Sequence, residues 1–280
     1  MDSHFVDVNG IKLHYLDYPG DGPTIILTHG LTVNALTLDP LARLLSPHWH
    51  VIAVDLRGRG LSDKPATGYA LSDIAADILA LMDHLGLKQC VIGGHSSGGL
   101  LTLFMAATYP DRVTRPVILD AGIMHPKVAE LLGPSLGRLS KPWPSWEAYL
   151  EAVKNGPELL GWWDPRIEDY CRVDVQTNPD GTVTRRAQPE VVSQVIAGQG
   201  AVNWLEILGA IKQPAILINA PGNYGPGDTP PMMPRALGQQ TASLMPNCRY
   251  VEVPGNHFTM MYAIGVDSVA KAISDFLNEP

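Results

Sequence analysis

Cys90-Val91-Ile92-Gly93-Gly94-His95-Ser96-Ser97-Gly98 passes from an apolar strand through a glycine-flanked serine into a stretch that reads as helix towards Tyr109, before Pro110. Gly94-x-Ser96-x-Gly98 in that strand–turn–helix setting predicts a sharp, strained turn that lifts the Ser96 hydroxyl clear of a sheet. Small residues are needed two positions either side, because the turn presses strand against helix, and Gly94 and Gly98 meet that need. Ser97 is no equivalent nucleophile, since its flanking positions would be His95 and Gly99 and the spacing fails. The helix opening at Ser97 presents free N–H groups and a positive dipole end, so the Ser97 N–H is expected to stabilise an oxyanion.

The strand before Ser96 is apolar throughout rather than alternating, as a strand buried on both faces should be. Similar runs occur at residues 24–28, 50–54, 117–119, 215–218 and 250–253. Residues 5–8 and 11–15 flank Asn9-Gly10, whose tolerance of positive φ predicts a hairpin. Between the later strands lie helical patterns. Ser72 can cap one that turns Ile74, Ile78, Leu81, Met82 and Leu85 inward and stops at Gly86, and the last covers residues 266–277. An antiparallel start followed by strand–helix alternation predicts an α/β fold with a mostly parallel, eight-stranded sheet flanked by helices.

Residues 123–208 break the rhythm. No convincing strand appears there, but helical fragments and prolines recur, with Trp143, Trp146, Trp162, Trp163 and Trp204 among them. That much aromatic area would not stay solvated, so a disordered linker is disfavoured. The expected organisation is a core of residues 1–122 and 209–280, with a helical cap at 123–208 inserted between the sixth and seventh strands.

With the elbow at Ser96, the stretches His29-Gly30-Leu31-Thr32, Asp55-Leu56-Arg57-Gly58-Arg59-Gly60-Leu61-Ser62-Asp63 and Pro254-Gly255-Asn256-His257 complete a resemblance to the α/β-hydrolase superfamily, in its cap-containing serine hydrolase branch. The resemblance implies the α/β-hydrolase fold, a nucleophile at Ser96 and a triad in the chain order Ser, acid, His. His257 follows the last apolar strand and is the expected base. Leu31, in the loop after residues 24–28, is the expected second oxyanion donor, with His29 holding that loop. Asp55, Arg57 and Arg59 are expected to tie loops together through charged hydrogen bonds.

The acid departs from the family's pattern. Much of the family carries it in a Gly-x-x-Asp turn after the seventh strand, but here the matching stretch is Ala220-Pro221-Gly222-Asn223, and Asn223 cannot carry the charge. Asp120, at the end of the strand before the inserted segment, and Asp228, in the glycine- and proline-rich loop after residue 218, are the two candidates. Asp120 is favoured, because a strand end is a rigid mount.

Composition excludes several classes. The net charge of −8 argues against nucleic acid or an anionic membrane as a partner. Three scattered cysteines make neither a disulfide framework nor a zinc site, and Cys90 reads as core. No signal peptide or spanning segment is visible, so the expected location is the cytoplasm. No metal or organic cofactor is expected, and the chain is expected to act as a monomer or small homo-oligomer.

The implied chemistry is attack of Ser96 on a carbonyl, with a rate that falls on acidification through a histidine-like pKa. A serine at the elbow argues against the dehalogenases and epoxide hydrolases of this fold, which need aspartate there. A medium-sized apolar ester or lactone is the expected substrate, in a pocket drawing on His95, His125, Trp143, Trp163 and Met260, the Trp-rich segment and the stretch Phe258-Thr259-Met260-Met261-Tyr262 suggesting apolar, aromatic walls with adaptable thioethers. Carbon–carbon and thioester hydrolysis, a lyase or perhydrolase, and a slow-turnover ligand receptor are the alternatives.

Overall fold

A computed structural model describes residues 1–139, 142–159 and 161–279. In chain order the elements are β1 (Asp2–Val8), β2 (Ile11–Tyr18), β3 (Thr24–Thr28), α1 (Asp39–Leu45), β4 (His50–Asp55), α2 (Leu71–His84), β5 (Cys90–His95), α3 (Ser97–Thr108) and β6 (Val113–Leu119). Then come α4 (Val128–Gly137), α5 (Trp146–Lys154), α6 (Arg166–Asp174), β7 (Val175–Thr177), β8 (Val183–Arg185), α7 (Pro189–Gly200) and α8 (Trp204–Ala210). The chain closes with β9 (Ala215–Asn219), α9 (Arg235–Ser243), β10 (Cys248–Glu252) and α10 (Val266–Leu277).

Eight strands form the main sheet in the order β1-β2-β4-β3-β5-β6-β9-β10. β1 and β2 pair antiparallel, as do β2 and β4, and the remaining pairs are parallel. The hairpin turns at Asn9 and Gly10, with φ of 47° and 75°, a pair of left-handed residues whose twist suits adjoining strands. The uniformly apolar strands feed two cores. Ile26, Ile52, Ile92 and Leu217 pack with α2 and α3 on one face, while Ile25, Leu27, Val51, Val117 and Ile218 pack with α1 and α10 on the other. Residues one apart thus point to opposite layers, and both layers are apolar.

The helices follow the sequence pattern with one correction. Ser72 lies inside the first turn of α2 rather than capping it; Ala70 is the cap residue, and the Asp73 carboxylate accepts its N–H at 3.0 Å. Gly86, with φ 71°, follows the end of the helix as its glycine predicts. In residues 123–208 the structure adds a small antiparallel pair, β7–β8, where the sequence shows no convincing strand. Three-residue strands are too short for a period-2 signal, and only Val175, Val183 and Arg185 of the six residues are buried. No described helix is long and apolar enough to cross a membrane.

Candidate active site

Crowding shapes the turn at Ser96. Its backbone sits at φ 55° and ψ −118°, a region that costs an L-residue strain and persists only where the surroundings enforce it. The Ser96 N–H donates to the Leu119 carbonyl at 2.9 Å, and the Thr28 hydroxyl donates to the Gly98 carbonyl at 3.2 Å. A Cβ on Gly94 would collide with the Gly98 backbone, and one on Gly98 would collide with the Thr28 carbonyl. Glycine is therefore required at both positions because strand β5, helix α3 and strand β3 touch there through bare backbone.

Three side chains distant in sequence form a continuous hydrogen-bonded line. His257 Nε2 lies 2.9 Å from Ser96 Oγ, and His257 Nδ1 lies 2.6 Å from Asp120 Oδ2. Asp120 is fully buried, directly after β6, at φ 48°, a left-handed conformation that aspartate tolerates better than most residues. Its other oxygen accepts from Asn219 Nδ2 at 2.6 Å and from the Ala220 N–H at 2.9 Å. Asn219 is aimed in turn by Tyr250, whose hydroxyl donates to Asn219 Oδ1 at 2.7 Å. This leaves Oδ2 for the imidazole, so His257 Nδ1 carries the proton and Nε2 faces Ser96 as the acceptor.

The turn bearing His257 is pinned by Asn256. The Asn256 carboxamide oxygen accepts from the Phe258 and Thr259 N–H groups at 3.0 and 2.9 Å, and its Nδ2 donates to the carbonyls of Glu158 and Asn223 at 2.9 and 3.1 Å. Asn223 thus supports the histidine turn through its backbone, while Asp228 is exposed on the surface loop. The N–H groups of Leu31 and Ser97 have no acceptor among the described residues. Both residues line a cavity beside Ser96.

His29 and His95 support the site from behind. His29 is fully buried; its Nδ1–H donates to the Gly30 carbonyl at 2.7 Å, and its Nε2 accepts the Leu56 N–H at 3.1 Å. Burial, and then the Arg59 guanidinium nearby, pull its pKa down to about 4. His95 Nε2–H donates to the His257 carbonyl at 2.7 Å, and burial, then the charge of His257, hold its pKa well below the usual histidine value. Both rings are therefore neutral at neutral pH. An unfolded histidine takes up a proton below pH ~6.5 while folded His29 does so only near 4, so the stability this ring contributes is present above 6.5 and is lost as the pH falls from 6.5 to 4. The full loss is about 3 kcal/mol, at ~1.4 kcal/mol per pKa unit. Urea midpoints at pH 7 and pH 5 are expected to fall by less in His29→Gln than in the wild type; equal falls would refute this source of acid sensitivity.

Of the charged loop residues, Asp55 accepts from the Ala35 and Leu61 N–H groups at 2.7 and 2.9 Å and pairs with His14 at 2.7 Å. Arg57 grips both oxygens of Asp77 at 2.5 Å. Arg59 departs from expectation: it is fully buried, none of its guanidinium nitrogens has a hydrogen-bond partner among the described residues, and nothing in the structure explains it.

Ser96 stands at the junction of two cavities of different character. One, about 50 Å³, has mixed walls and is the more polar of the two; it lies beside His257 and His95, with Arg138, Glu158, Arg185, Tyr224 and Tyr262 set among apolar side chains. The other, about 320 Å³, is apolar and lies beside Ser97, under α4, α7 and α8. His95 lines the smaller cavity, as the sequence suggests. His125, Trp143, Trp163 and Met260 line neither. His125 accepts the Lys127 N–H at 3.1 Å, Trp143 packs edge-on to Tyr149 at 6.0 Å, Lys154 covers Trp163 at 5.0 Å, and Met260 is wholly in the core.

Phe258, Met261 and Tyr262, in the stretch the sequence points to after His257, line the smaller cavity, whereas Arg138, Leu132, Leu136 and Gln199 also line the cavities and are not singled out by the sequence. For these four the one signal is the helical spacing of Val128, Leu132 and Leu136, and it reads equally well as core. Gln199 donates to the Ser97 hydroxyl at 2.6 Å, tying α7 to the start of α3.

A family profile described as alpha/beta hydrolase fold matches residues 23–156. The chain is 28% identical to 2-(acetamidomethylene)succinate hydrolase of Mesorhizobium japonicum, over 99% of this chain and 95% of that protein. It is 29% identical to N-formylmaleamate deformylase of Pseudomonas putida, over 98% and 96% of the two chains. The crystal structure of E-2-(acetamidomethylene)succinate hydrolase superposes with a TM-score of 0.86 at 26% identity, covering 99% of each chain.

Proposed function

The chain belongs to the α/β-hydrolase superfamily and is a hydrolase of that type, and from that premise we propose that it cleaves small carboxylic esters or lactones through an acyl-enzyme on Ser96. The observation that carries this reading is the unbroken line Ser96 Oγ–His257–Asp120, with links of 2.9 and 2.6 Å. His257 takes the hydroxyl proton as Ser96 Oγ bonds to the acyl carbon. The Leu31 and Ser97 N–H groups bind the oxyanion, which costs no reorganisation because the backbone is already in position. The carbonyl re-forms, the bond to the leaving group breaks, and His257 returns the proton to the departing oxygen. Water, activated by the same imidazole, then splits the acyl–Ser96 bond and restores the hydroxyl.

Asp120 keeps His257 in the productive tautomer and stabilises its cation. Residues 123–208 act as a cap, since Leu132, Arg138 and Glu158 close over the cavity that Ser96 and His257 open into. The same steps cleave an N-acyl bond, and the two relatives matched over nearly their full length favour that second reading, because their names describe hydrolysis of an acetamido compound and removal of a formyl group from a maleamate.

Incubation with 4-nitrophenyl acetate is expected to release nitrophenol over many turnovers. Acid quenching during turnover should trap an adduct of acetyl mass on the peptide that carries Ser96. Sustained release without any adduct would point to direct attack by water, and a single burst without turnover would leave a receptor.

A further inference from the structure

The two cavities give the substrate a direction. A tetrahedral acyl carbon on Ser96 carries an oxyanion, an acyl arm and a leaving arm. His257 must deliver its proton to the leaving arm, so that arm lies on the side of His257. His257 lines only the smaller, more polar cavity and Ser97 only the larger, apolar one, with Leu31 at the wall between the two. We infer that the preferred substrate joins an apolar acyl group longer than acetyl to a small, oxygen-rich leaving group, the acyl arm lying under α4 and the leaving arm against Tyr262. This rests on the acyl-hydrolase reading above and specifies its substrate class.

Two further observations carry it. Val128, Ala129, Leu132 and Leu136 share one face of α4 and all line the apolar cavity, yet no residue of α4 is buried. An apolar helix face left half-exposed over a cavity of about 320 Å³ is one that the protein's own side chains do not cover. In the smaller cavity, the Tyr262 hydroxyl is fully buried and has no hydrogen-bond partner among the described residues. The nearby carboxylates already hold partners, Glu158 with Arg138 and Asp164 with Arg166. What remains unmatched there is a donor, which selects a leaving arm bearing acceptor oxygens.

The test uses four esters, acetyl and hexanoyl, each of glycolate and of ethanol. A buried methylene is worth roughly a fourfold gain, so four of them, partly buried, should raise kcat/KM by at least about tenfold from acetyl to hexanoyl. The glycolate esters should exceed the ethyl esters by about tenfold. Ala129→Trp, which fills the apolar cavity from α4, should bring the hexanoyl-to-acetyl ratio close to one while the glycolate-to-ethyl ratio persists; Leu136→Trp is the second variant should the first fail to fold. Tyr262→Phe should lower the glycolate-to-ethyl ratio through KM, with an unchanged or higher Tm, because it removes a hydroxyl that bonds to nothing among the described residues. Equal wild-type rates for the two acyl groups, or an Ala129→Trp effect on the leaving-group ratio instead, would overturn the inference alone. Failure of all four esters would overturn the ester-cleaving reading and the inference with it.

Discussion

Ser96→Ala is expected to lower kcat on 4-nitrophenyl acetate by about five orders of magnitude, with KM little changed. On the proposed acyl-enzyme path every covalent step goes through one oxygen, and removing the nucleophile of such a unit costs about as much as removing the unit. The residual rate should be the contribution of the Leu31 and Ser97 N–H groups and of substrate positioning alone. Folding should survive, because the substitution removes one atom whose contact is to His257, 2.9 Å away, and leaves the Ser96 N–H bond to Leu119 in place. A stopped-flow trace beside a far-UV spectrum distinguishes the cases. A variant that keeps more than a hundredth of the wild-type rate would show that water or another residue attacks the carbonyl.

Asp120→Asn should cost about four orders of magnitude in kcat, for a reason of hydrogen-bond polarity rather than of charge alone. Oδ1 of Asp120 receives two donors, Asn219 Nδ2 and the Ala220 N–H, at 2.6 and 2.9 Å. An asparagine must turn its carboxamide oxygen towards that pair and so present its NH2 to His257. The imidazole then carries its proton on Nε2, pointing at Ser96, and cannot act as a base. Asp228→Asn provides the contrast, since that side chain lies exposed on its loop and should change kcat less than twofold. Wild-type-like turnover in Asp120→Asn, or a collapse in Asp228→Asn, would move the acid elsewhere.

Much of the architecture is legible without coordinates because it rests on local backbone requirements. Gly94 and Gly98 frame a turn that has no room for a Cβ, Asn9-Gly10 supplies the two left-handed residues of a hairpin, and the strand runs are apolar on both faces because the sheet is covered on both. Helix α10 was equally readable at residues 266–277, where its inward residues Val266, Val269, Ile273 and Phe276 keep the helical period. The two short strands β7 and β8 escaped, since three residues carry no period.

The boundary between what the chain states and what the fold decides runs through the site itself. The sequence by itself determined the nucleophile candidate, the base candidate and the fold that carries them, because each is set by neighbours within a few residues. The carboxylate that meets His257 lies 137 positions away, and only the placement of β6 beside β9 brings Asp120, rather than Asp228, within 2.6 Å. Which aromatic side chains face a cavity was also undecidable from composition. Trp143 and Trp163 are spent on packing, whereas Arg138, Leu136 and Tyr262 open onto Ser96's surroundings, and that choice depends on helix orientation, which no local pattern encodes.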